Sequence, residues 1–169
     1  MKTGFFLGGY FTATCYDEHG NFKWETTSKN LVVDEGLNHA LDVLFHGDAA
    51  FGTWYIALFE DDHAVVAGND YAAPGFTESV AYDEATRQEY VEAAAASESI
   101  TNSANRAVFT MSATKTIYGA ALMSFATKGN TAEAGAVMFC AAQFTNAKSV
   151  NDDDTLEVTY TIGSADDGV

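Results

Sequence analysis

Residues 155–162 alternate without interruption. Leu156, Val158, Tyr160 and Ile162 fall on one side, and Thr155, Glu157, Thr159 and Thr161 on the other. A period of two marks a β-strand with one face on a core and the other in water. Residues 106–112 repeat the pattern, with Ala107, Phe109 and Met111 set against Val108, Thr110 and Ser112. Residues 53–59 carry little polarity, which predicts a strand buried on both faces, and 116–125 and 136–144 read as further apolar strands. Residues 136–144 are the most apolar of these and are expected to be central.

Turn chemistry separates these runs. Asp17-Glu18-His19-Gly20-Asn21 divides an aromatic run over 4–15 from an alternating one over 22–27, and predicts a β-hairpin. Residues 29–33 are expected to extend its second strand. Further turns are expected at Gly129-Asn130-Thr131 and at 151–154. Residues 79–92 predict one or two short strands, around Ala81-Tyr82 and Glu89-Tyr90-Val91. Residues 60–78, with Pro74-Gly75, read as a long loop, and loops of that length often carry interactions. The fold class that follows is mainly β: a sandwich or jelly-roll-like arrangement of about eight strands. The whole chain, 1–169, reads as one sandwich domain, a usual size for a single core.

One helix is expected, at about 34–46. Asp34 is placed to cap it and Glu35 suits the positive end of its dipole. Leu37, Leu41 and Leu44 follow at i, i+4 and i+7, with Ala40 beside them, and predict an apolar face. Gly47 is positioned to end it in a left-handed conformation.

The charge balance narrows the partners. Twenty-four acids against eight bases leave a formal charge of −16. Such a surface repels phosphate backbones and anionic membranes, so neither nucleic acid nor membrane is an expected partner. A basic protein surface, divalent cations or simple solubility accounts for the acidity. No run approaches the roughly 20 apolar residues of a membrane helix. The opening Met1–Gly9 run is broken by glycines, and no signal peptide is expected.

Residues with chemical potential are few. Cys15 and Cys140 lie in apolar runs, where a thiol behaves as a small hydrophobe. His39, Asp42 and His46 share a helix face in residue types that bind zinc, but amphipathicity alone produces that spacing. No metal or other cofactor is therefore expected. Glu60-Asp61-Asp62 and Asn151-Asp152-Asp153-Asp154 lack the alternating spacing of a calcium loop and read as solvated turns. No nucleophile or phosphate-loop motif is present, and no catalytic residue is assigned. Phe5, Phe6 and Leu7 stand in an aromatic run near the N-terminus. Residues 1–9 are expected to act as an interaction arm that adds a strand to a neighbour. Trp24, between Lys23 and Glu25, is a further interface candidate.

Four segments together resemble a known group. Lys29-Asn30-Leu31-Val32-Val33-Asp34-Glu35-Gly36-Leu37-Asn38 is followed by Trp54-Tyr55-Ile56-Ala57-Leu58-Phe59. Tyr82-Asp83-Glu84-Ala85-Thr86-Arg87 and the turn Ser103-Ala104-Asn105 come later. In order and spacing they resemble small structural proteins of tailed bacteriophages, from about residue 11 to 162. The resemblance implies a virion component without enzymatic activity, and favours a capsid decoration (cement) protein. It implies binding to the major capsid protein or other virion proteins and a homo-oligomer, often a trimer. It implies residence in the phage particle after assembly in the host cytoplasm, without placing it on the virion; the acidic β-sandwich character favours the head surface. A tail, adaptor or fibre-associated protein is the alternative, and a carbohydrate-binding sandwich domain is a second.

Overall fold

In the computed structural model, which describes residues 5–166, two antiparallel sheets pack face to face. The strands are β1 (Phe5–Tyr16), β2 (Phe22–Lys29), β3 (Leu31–Val32), β4 (Tyr55–Phe59), β5 (Glu78–Ser79) and β6 (Gln88–Glu89). They continue as β7 (Ser99–Thr101), β8 (Ala107–Thr110), β9 (Lys115–Met123), β10 (Met138–Val150) and β11 (Thr155–Asp166). The first sheet runs β2-β1-β11, with β7 and β8 both on the far side of β11. The second runs β3-β10-β9-β4, with β5 and β6 both on β4. The mainly-β two-sheet expectation holds. The strand number rises from about eight to eleven among the described residues because several pairings are only two or three residues long.

The alternation of β11 does what its pattern requires. Leu156, Val158 and Tyr160 are fully buried between the sheets, with Phe11 and Phe109 of their own sheet and Ile56 and Ile117 of the facing one. The second sheet is covered on its other face as well. Tyr71 and Phe76, from the 60–77 loop, pack there on Ala57, Phe59, Met123 and Met138. This second layer explains why β4, β9 and the first half of β10 lack polar alternation: neither face meets water. β10 is indeed interior, between β3 and β9.

The expected hairpin forms, with β1 and β2 paired from Tyr10↔Lys29 to Tyr16↔Phe22. The expected extension over 29–33 does not. The chain leaves the first sheet at Asn30, and Leu31–Val32 pair with Ala141 and Cys140 of the second. Asn30 makes the crossing possible by satisfying the groups it interrupts. Its N–H donates to the Gly9 carbonyl, its side-chain oxygen accepts from the Gly9 N–H, and its Nδ2 donates to the Tyr160 hydroxyl at 3.1 Å.

The helix spans the expected residues in two parts: α1 (Asp34–Leu41), then a π-helical turn over Asp42–His46 that ends at Gly47 with φ 86°. Two details differ from expectation. Val33, not Asp34, occupies the cap position, and no side chain caps the helix. The leucine stripe also faces out: Leu37, Leu41 and Leu44 are 39%, 53% and 60% exposed. The packed face is instead Gly36 and Ala40. A Cβ on Gly36 would lie 2.2 Å from the Phe139 carbonyl oxygen, so the helix backbone sits directly on β10. Small residues at i and i+4 permit that approach, and the bulkier stripe is left on the adjoining, outward side.

Candidate interaction surface

The first half of β1 has only one partner. Its ladder with β11 runs unbroken from Phe5↔Asp166 to Tyr16↔Thr155, whereas β2 begins only at Tyr10. Beyond Gly9, no strand among the described residues covers the other edge. The direction of the free groups follows from strand geometry. Gly9 turns its N–H and C=O to Asn30, so Leu7 and Phe5, two and four residues earlier, turn theirs to the same open side. Phe6 and Gly8 bond to β11.

This edge borders an open groove of about 1150 Å³ between β1, the β3 crossover and the start of α1. Phe6, Tyr10, Leu31 and Leu37 rise from it, between 39% and 49% exposed. Among the described residues that line it, Lys29 is the one that carries a charge. On a chain of charge −16, the described lining of the groove is thus sparsely charged.

The N-terminal interface candidates fall at this site as part of the fold. Residues 5–9 are strand, paired along their length to 162–166. Residues 1–4 of the expected arm lie outside the described residues. Phe5 contributes its backbone to the edge, Phe6 faces outward, and Leu7 packs against the sandwich core. Trp24 is elsewhere. Its indole N–H donates to the Ser149 carbonyl at 2.9 Å, and Lys148 Nζ lies 5.6 Å from its ring centroid. It closes β2 onto β10, so its role here is to seal the sandwich edge.

The helix histidines are drawn into different surroundings. His39 lies against Phe51 and Trp54, with ring centroids at 4.8 and 5.8 Å, while His46 is exposed past the end of α1. The described residues contain no group of three His, Cys, Asp or Glu side chains disposed to hold a metal, so His39, Asp42 and His46 form no ligand set.

The two acid clusters are more than solvated turns. Glu60 accepts from Ser79 Oγ at 2.8 Å and pairs with Lys115 at 3.0 Å. Asp154 is buried, accepts from the Asn151 N–H at 2.6 Å and pairs with Lys23. The thiols are shielded. Burial, reinforced by the neighbouring Asp154 carboxylate, pushes Cys15 up to about 12, and burial does the same to Cys140.

Sequence reasoning missed two connectors. Glu35, read only as a dipole partner, accepts from the backbone N–H groups of Tyr71 at 2.9 Å and Met138 at 2.7 Å, and so joins helix, loop and β10. Arg87, read only as part of a motif, is one of the most deeply buried side chains. A buried arginine in a loop has no periodic signature, and the acids that neutralise it are invisible without the fold. Comparison with protein-family models and with curated proteins found no match to this chain.

Proposed function

We propose that this chain is a non-enzymatic structural component of a tailed-phage particle, a capsid decoration protein that binds the major capsid protein on the head surface. The observation that carries the reading is where the resembling segments fall. Residues 29–38 switch the chain between sheets and dock the helix through Asn30, Glu35 and Gly36. Residues 54–59 include β4, buried in the second sheet. Residues 82–87 end on the buried Arg87. The pattern shared with phage structural proteins is thus one that builds a two-layer β fold, which supports the likeness as one of whole architecture. The acidic net charge and the apolar groove fit a protein that stays soluble while free and meets its partners through a restricted face.

The test is to count this chain in purified particles of the phage that encodes it, by quantitative gel staining. A copy number comparable to the major capsid protein supports decoration. A small number moves the protein to the tail, and absence from particles overturns the proposal.

A further inference from the structure

The geometry points to a second copy of this chain as the occupant of the open β1 edge, paired antiparallel about a two-fold axis through Phe6. The open edge spans residues 5–8, because Asn30 already occupies the place opposite Gly9. Only residues facing outward in the same phase form antiparallel hydrogen-bonded pairs. Phe5 and Leu7 turn their backbone N–H and C=O groups outward, so two copies satisfy this rule when Phe5 of each lies opposite the partner's Leu7. That register centres on Phe6 and avoids Asn30 in both copies. Pairing about Leu7 would instead set Phe5 against a Gly9 that Asn30 has already saturated.

The register makes Phe6 a non-hydrogen-bonded pair with its own symmetry mate. In that type of pair the side chains approach most closely, and aromatic pairs are favoured. Phe6 stands on the outer face of the sheet and is 49% exposed, so its ring is available for this contact.

Charge favours the same face. Two copies of charge −16 repel one another over most of their surface. Among the described residues that line the groove the one charge is Lys29, so contact there sets fewer acids against one another than contact elsewhere on the surface. The exposed apolar surface of Phe6, Tyr10, Leu31 and Leu37 is on the order of 300 Å², short of the roughly 800 Å² per partner of a standard interface. The dimer is therefore a weak one, forming on the order of 100 µM. A two-fold contact yields dimers and does not by itself close the trimer that the phage resemblance implies.

Sedimentation equilibrium of the intact chain tests this, and the test is independent of capsid binding. The mass should rise from 18.1 kDa toward twice that value as concentration approaches about 1 mM, more readily in about 0.5 M salt than in about 0.05 M, because salt screens the repulsion. Phe6→Lys and Phe6→Glu should each remain monomeric, and an equimolar mixture of the two should associate again. Amide hydrogen exchange gives a readout that needs no variant. Leu7 should exchange fast when dilute and slowly when concentrated, while Phe6 and Gly8, bonded to β11, stay protected throughout. A wild-type chain that is monomeric at about 1 mM in high salt overturns the proposal. So does undiminished association of Phe6→Lys alone, failure of the mixture to associate, or a Leu7 amide indifferent to concentration.

Discussion

Arg87 and Glu78 meet as a bidentate ion pair inside the protein. Nε donates to Oε1 at 2.8 Å and Nη2 to Oε2 at 2.7 Å, with 1% and 6% of the two side chains exposed. The remaining guanidinium N–H groups donate to the Tyr71 hydroxyl at 3.0 Å and to the carbonyls of Phe125 at 2.8 Å and Asn130 at 3.0 Å. All five donors are used, and one side chain fastens the 60–77 loop, β5, the end of β9 and the 129–130 turn together. Burial opposes the arginine's charge, but the hydrogen bonds and charge of Glu78 outweigh it and raise its pKa further.

Arg87→Ala should therefore destabilise the chain by about 3–5 kcal/mol, because it leaves the Glu78 carboxylate buried without its counter-ion. Arg87→Lys should rescue little, since an ammonium cannot reproduce the planar fork. Urea unfolding of Arg87→Ala, Glu78→Gln and the double variant gives the coupling. A loss below about 1 kcal/mol for Arg87→Ala would remove this residue from the structural role assigned to it.

The helix offers a paired comparison. Leu44→Ser and Phe45→Ser should each change stability by no more than about 0.5 kcal/mol, because both residues face solvent. Gly36→Ala should cost about 1–3 kcal/mol, because its Cβ has no room against the Phe139 backbone. The opposite ranking would place the leucine face, and not Gly36, against the core.

Ser97 and Glu98 both adopt positive φ, 51° and 59°, in a two-residue turn closed by paired bonds between Ala96 and Ser99. Asn-Gly is the favoured sequence for that turn. The double change Ser97→Asn, Glu98→Gly should raise stability by about 1 kcal/mol through relief of left-handed backbone cost. Thermal melts that show no gain would indicate a different turn geometry in solution.

Both thiols should resist alkylation in the folded protein at pH 8 and react fully once it is unfolded, since each is raised to about 12. The same shifts set a basic limit on stability. Above the ordinary thiol value of 9.0 the unfolded chain loses these protons while the folded chain keeps them. The unfolded state then binds fewer protons, and stability falls as pH rises from about 9 toward 12. The slope is at most about 1.4 kcal/mol per pH unit for each thiol. Denaturation midpoints across this range should fall less steeply in Cys140→Ala; identical slopes would rule the thiol out as a contributor.

The parts legible in the sequence were those with a short repeat or a local turn. The period of β11, the hairpin around Gly20 and the helix ending at Gly47 each depend on residues close in the chain. The two-residue strands β5 and β6 had no period to read, and β7 was missed altogether. The interface candidates were legible only as an aromatic run. That Phe5 and Leu7 turn their free groups outward depends on Asn30, more than twenty residues later.

The sequence alone determined that the chain is an acidic, mainly-β protein with buried strands and one amphipathic helix, because hydrophobic period and charge count are properties of neighbouring residues. Only the tertiary structure decided which apolar faces are covered. The leucine stripe of α1 and the sides of β10 carry the same kind of residue. β10 is buried because the 60–77 loop and the facing sheet close over it. The leucines stay in water because Gly36 allows the helix backbone to lie against Phe139 and turns them away. Apolar patterning marks a surface that gains from burial. Which element buries it depends on long-range contacts between residues far apart in the chain.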